Sequence, residues 1–125
     1  MKTIFSFALI LILGITAVSA QELALVRDND LFGYINKSGE YVIQPQFEKA
    51  DSFSGKLAAA MKDKKWGFIN TSGEWVIHPQ YDRVKAFNSG YAVVLENDQW
   101  KYINAKNETL NTPATDKIYD FDDGV

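Results

Sequence analysis

The sequence predicts an all-β fold: a repeat array of about three units of about 34 residues, each a short three-stranded antiparallel meander, placed after an N-terminal signal peptide. Three observations carry this. Gly33-Tyr34-Ile35-Asn36 recurs as Gly67-Phe68-Ile69-Asn70 and, degraded, as Lys101-Tyr102-Ile103-Asn104. Short β-branched and aromatic runs alternate with clusters of Asn, Ser, Gly and Pro, the pattern of strands and turns. The residues before the repeat have another character, with Lys2, an almost wholly apolar run from Ile4 to Ile15, and then Thr16-Ala17-Val18-Ser19-Ala20.

That opening segment has the layout of a secretory signal peptide, with Val18 and Ala20 at the small-residue positions before the cut and Gln21 as the first mature residue. An uncleaved anchor is the competing reading. The apolar run is shorter than the roughly 20 residues a bilayer core requires, and a good cleavage site follows it. The domain division is therefore residues 1–20 as signal peptide and 21–125 as the repeat domain. The expected location is exported (periplasmic, cell-surface or secreted), with the membrane met only in transit. About 105 residues remain after cleavage, enough for one thin core. There is no cysteine, so neither lipid attachment at a cysteine nor a disulfide is available, and stability must come from packing and repeat stacking.

The units align from Arg27 to Ala60, from Met61 to Val94 and from Leu95 to Val125. Leu23-Ala24-Leu25-Val26 leads into the first, with Arg27-Asp28-Asn29-Asp30 as its turn. The next strand carries a large aromatic at a fixed place: Phe32, Trp66 and Trp100 share one position, followed by Gly33, Gly67 or Lys101, then by Tyr34, Phe68 or Tyr102. Strand alternation puts Trp66, Phe68 and Asn70 on one face and Gly67 with Ile69 on the other. The space over Gly67 is expected to be filled by an aromatic from an adjacent strand, Trp75 or Tyr91.

Lys37-Ser38-Gly39-Glu40 and Thr71-Ser72-Gly73-Glu74 supply turn chemistry and positive φ. Tyr41-Val42-Ile43 and Trp75-Val76-Ile77 form the return strand, expected to stop before Pro45 or Pro79 because proline lacks the N–H that a ladder needs. A polar segment then crosses to Phe53 or Phe87 and on to Gly55 or Gly90. A third strand follows, Leu57-Ala58-Ala59-Ala60 in one unit and Tyr91-Ala92-Val93-Val94-Leu95 in the next. Alanine favours helix intrinsically, but the run is short and its counterpart is strand-like. In the third unit Lys101, Asn107 and Thr109-Leu110-Asn111-Thr112-Pro113 depart from the pattern, which reads as a terminal cap or a decaying copy. Gly124-Val125 aligns with the start of a further strand, so the expectation is a longer array or an incomplete sheet edge.

Trp66-Gly67-Phe68-Ile69-Asn70, the Ser72-Gly73 turn, Val76-Ile77 with Pro79-Gln80-Tyr81-Asp82, and the Phe-x-x-Gly-x-Ala ending of the second unit together resemble the bacterial WG-repeat (KWG-repeat) family. The resemblance spans nearly all of residues 21–125. It is strongest in the second unit, good in the first, where Phe32 stands for the tryptophan, and partial in the third. It implies a β-rich, frequently exported repeat protein with no established catalytic residues.

Chemistry is sparse. The formal net charge is -3 with no basic run, which argues against nucleic acid as a partner. Lys62, Lys64 and Lys65 are interrupted by Asp63 and read as a solvated turn. His78, the one histidine, has no repeated acidic or nucleophilic neighbour and reads as a surface residue at a strand end, not a general base. Without cysteine or a histidine pair there is no zinc or iron set. Asp116, Asp120, Asp122 and Asp123 could hold calcium weakly, but their spacing matches no calcium loop and a solvated acidic loop is the favoured reading. Asn36, Asn70 and Asn107 fit the N-glycosylation pattern and coincide with hairpin turns.

No catalytic, cofactor or metal residue is assigned, and no cofactor is expected. The expected function is a non-enzymatic exported module presenting a macromolecule-binding surface, with protein or another cell-envelope component as partner. The alternative is carbohydrate or envelope-glycan binding through exposed repeated aromatics, for which Trp66, Trp75, Tyr81, Tyr91 and Trp100 are the candidates. Core packing between units is the competing use of the same rings.

Overall fold

A computed structural model describes residues 22–110. The expected signal peptide, the acidic residues from Asp116 to Asp123 and Gly124-Val125 lie outside the described residues. Every element within them is a strand: β1 Ala24–Asp28, β2 Leu31–Ile35, β3 Tyr41–Phe47, β4 Lys49–Ala50, β5 Ala58–Lys62, β6 Lys65–Ile69, β7 Trp75–Tyr81, β8 Arg83–Val84, β9 Tyr91–Glu96 and β10 Gln99–Asn104. They form three antiparallel sheets, ordered β1-β2-β3, β4-β5-β6-β7 and β10-β9-β8. The polar crossing after each proline thus contains a two-residue strand that pairs forward, Lys49 with Met61 and Ala50 with Ala60. Sheets are consequently out of phase with the sequence units, since the second sheet starts late in one unit and ends within the next.

Hairpin turns repeat atom for atom. The Asn70 side-chain oxygen accepts from the N–H of Ser72 and Glu74, while its amide donates to the Glu74 carboxylate. Asn36 does the same with Ser38 and Glu40, and Asn104 with Lys106 and Glu108. Gly39 and Gly73 take φ of 83° and 85°; Asn107, in their place, takes 63°. Asparagine tolerates this region better than other residues with a Cβ. The third turn is therefore kept despite the loss of its glycine.

Two expectations are corrected. The return strands do not stop at proline. β3 and β7 run through Pro45 and Pro79 by bulging: between the pairs Phe68↔Ile77 and Trp66↔Tyr81 one residue of β6, Gly67, faces three of β7. A bulge frees proline from donating to the ladder, and the Gln80 side-chain amide bridges the gap by donating to the His78 carbonyl at 3.1 Å. Nor does an aromatic cover Gly67. A Cβ at Gly67 would meet the Ile77 carbonyl oxygen and, at 2.7 Å, the nitrogen of Pro79; at Gly33 it would meet the Ile43 carbonyl at 2.6 Å. The glycine makes room for its neighbour's bulged backbone.

The core lies between sheets, in two clusters. Tyr34, Ile43 and Phe47 of the first sheet meet Ala58, Ala60 and Ile69 of the second. Ala59, Phe68, Ile77 and Tyr81 of the second sheet meet Ala92, Val94 and Ile103 of the third. Alternate residues of β5 and β6 thus serve opposite clusters, and the middle sheet is covered on both faces. This accounts for the alanines of β5, 0% to 2% exposed, because small side chains let two sheets approach the same strand. Aromatic contacts tie neighbouring sheets: Phe47 of the first meets Trp75 of the second edge-on at 5.5 Å, and Phe68 of the second meets Phe87, between β8 and β9 of the third, at 4.8 Å.

Candidate functional site

Where the first and second sheets meet at the surface, they leave an open cleft of about 500 Å³. The bulged β3 ends at Phe47, and the chain turns through Glu48 into β4, which leans on β5. That step places Glu48, Lys49, Ala50 and Asp51 along one wall. Phe32 and Trp66, which share a repeat position on β2 and β6, form the apolar part of the lining, and Arg27 of β1 completes it. Each aromatic is half-buried, since each also leans on a core cluster.

The charges are fixed to different degrees. The Glu48 carboxylate accepts from the N–H groups of Asp63 (2.7 Å) and Lys64 (3.0 Å), in a two-residue turn where both residues take positive φ. These bonds, Lys64's first, hold its pKa below the ordinary value. Arg27 bonds Asp30 at 3.0 Å and lies 5.8 Å from the Phe32 ring centroid. Partial desolvation against the cleft wall pushes the Asp51 carboxyl up, and its backbone is tied, its N–H donating to the Ala59 carbonyl and its own carbonyl accepting from the Tyr34 hydroxyl. Lys49 and Asp51 are exposed. The arrangement offers an apolar surface flanked by both signs of charge, suited to holding a chain segment and lacking any paired nucleophile and base.

The five aromatics singled out in the sequence do not gather on one face. Trp66 lines the cleft. Tyr81, its partner across β6 and β7, is 2% exposed, and its hydroxyl donates to the Asn107 side chain. Trp75 is half-buried in the other cluster. Tyr91 and Trp100 are 38% and 37% exposed but stand near opposite ends of the β9–β10 ladder, where their partners are Asn104 and Leu95. His78 is exposed on β7. Among the described residues, no group of three or more His, Asp or Glu side chains is placed to hold a metal ion.

Sequence reading missed Arg27, Glu48, Lys49 and Asp51. A signal was present, because Glu48-Lys49-Ala50 recurs as Asp82-Arg83-Val84, an acid, a base and a small apolar residue at fixed register.

Sheet order, bulge and turn all repeat at the sequence period, which defines a stacked all-β repeat protein. The WG-containing repeat matches residues 32–66 and again 66–100, more than half of the chain, and the protein belongs to that family. It is not a known enzyme family. No curated protein and no solved structure matches the chain.

Proposed function

We propose that this chain is an exported, non-enzymatic module that binds an extended segment of a partner protein in the cleft between its first and second sheets. The observation that supports this most is the lining itself, in which two aromatics at one repeat position flank an open groove with Arg27, Lys49, Glu48 and Asp51 beside them. Extended peptides offer apolar side chains and charges at alternate positions, and such mixed grooves suit them. Glycan stacking would be favoured by several aromatics exposed in a row. Burial of Tyr81 and the wide separation of Tyr91 from Trp100 support the peptide reading over that one.

Charge reversal at the exposed wall, Lys49→Glu with Asp51→Lys, leaves both cores untouched. Affinity capture from the cell envelope with the processed chain should recover a discrete protein that this double variant fails to recover. Capture of the same proteins by both forms, or binding to purified envelope glycan alone, would overturn the proposal. Amino-terminal sequencing of the protein from the exported fraction should begin at Gln21; an intact Met1 start would remove the export part of it.

A further inference from the structure

The cleft between the first and second sheets has a counterpart one period on. Arg83 pairs with Leu95 and Val84 with Val94, as Lys49 pairs with Met61 and Ala50 with Ala60. The N–H groups of Asp82 and Lys85 donate to Leu95 and Val93, as those of Glu48 and Asp51 donate to Met61 and Ala59. Trp66 meets Tyr81 across β6 and β7 as Phe32 meets Phe47 across β2 and β3. The same backbone therefore sets β8 beside Trp66 and Trp100 where the second and third sheets meet. Trp66 belongs to both junctions, and Trp100 is 37% exposed.

Spacing and charge restrict what lies along this row. Phe32, Trp66 and Trp100 sit on successive stacked sheets, and stacked sheets lie about 10 Å apart. A partner that offers the same kind of side chain to each junction must return to the same face after that distance. A β-strand alternates faces and rises about 3.3 Å per residue, so two residues fall short, three arrive on the wrong face and four overshoot. A polyproline II segment turns once in three residues over about 9 Å, and grooves with aromatic walls hold such segments. The charge that repeats toward solvent is positive. Glu48 is held by the Asp63-Lys64 turn and Asp82 by Lys65, whereas the bases beside them, Lys49 and Arg83, are exposed.

We propose that the junction of the second and third sheets is a second docking site, continuous with the first through Trp66. The occupant of both is one proline-rich segment of the partner protein in the polyproline II conformation, with an acidic residue at every third position to meet Lys49 and then Arg83. This rests on the cleft reading above and adds to it the partner's conformation, its period and a second contact.

A synthetic peptide of four Pro-Pro-Glu triplets, titrated into the processed chain and followed by tryptophan fluorescence and calorimetry, tests this. One peptide should bind per chain, on the order of tenfold tighter than a peptide of six Pro-Glu pairs, which has the same length and more charge but no two acids three residues apart. Lys49→Glu and Arg83→Glu should each weaken binding roughly fivefold with circular dichroism unchanged, since both side chains are exposed. The variant carrying both changes should prefer Pro-Pro-Lys triplets to Pro-Pro-Glu triplets. Weakening by Lys49→Glu with no effect of Arg83→Glu would overturn the second site and leave the first cleft standing. Absence of binding by the Pro-Pro-Glu peptide, or equal binding of the two acidic peptides, would overturn the proposal as a whole. Envelope capture that is lost in the Lys49→Glu, Asp51→Lys variant would in that case still support the first cleft.

Discussion

The glycine of each aromatic-glycine pair is the residue on which most of the unit depends. Gly67 admits the bulged backbone at Ile77 and Pro79, so Gly67→Ala should destabilise the protein by about 3 kcal/mol, an overpacking effect against backbone that cannot step aside. Denaturant unfolding would measure it, with Ser72→Ala, at an exposed turn position, as a near-neutral control. The period made this glycine visible; its reason was not, because a bulge is a property of the partner strand's register and leaves no mark beside the glycine in sequence. Glu48 recurs as Asp82 at the same repeat position, but what its carboxylate bonds is legible only through the fold. Its pKa is held below the ordinary 4.5 by two backbone N–H bonds, so its contribution to stability is present above about pH 4.5 and is lost as pH falls through the lower folded value. Glu48→Gln should therefore lower the urea midpoint at neutral pH, and the gap to the parent protein should close as pH falls through the lowered folded pKa.

At the scale of elements, substitutions that look like decay in the third unit are linked through one side chain. Tyr81 stands where the first unit has Phe47; its hydroxyl meets Asn107, and Lys101 lies 5.7 Å from its ring centroid while bonded to Glu96 at 2.9 Å. Where Phe47 replaces tyrosine, the next turn has Gly73, and the side chain of Ile43 fills the space beside it. Tyrosine with asparagine and phenylalanine with glycine are thus two solutions of one junction. A double-mutant cycle of Tyr81→Phe with Asn107→Gly should show coupling of about 1 kcal/mol; additive losses would mean that the hydroxyl and the turn act separately. Strand identity, the hairpin turns and the two-faced alternation of β6 could all be read from residue patterning. β4 and β8 could not, since two-residue strands have no periodicity of their own.

For the whole molecule, the middle sheet is the shared element: alternate residues of β5 and β6 feed two cores, so neither outer sheet has a complete core without it. The cleft follows from this stacking, because the repeat position of Phe32 and Trp66 comes to the surface where one sheet hands over to the next. Its aromatic wall was visible as a repeated position, whereas its charged wall depends on how β4 leans on β5. Site-specific photocrosslinking in the exporting cell tests this cleft most directly, with a photoreactive side chain placed at position 49 and, for comparison, at Val76, an exposed residue of β7 outside the cleft lining. Position 49 should give a discrete crosslinked protein that disappears when Asp51→Lys is added, and position 76 should not. Equal crosslinking from both positions, or none from position 49 in a folded and exported chain, would contradict the cleft as the place where the partner binds.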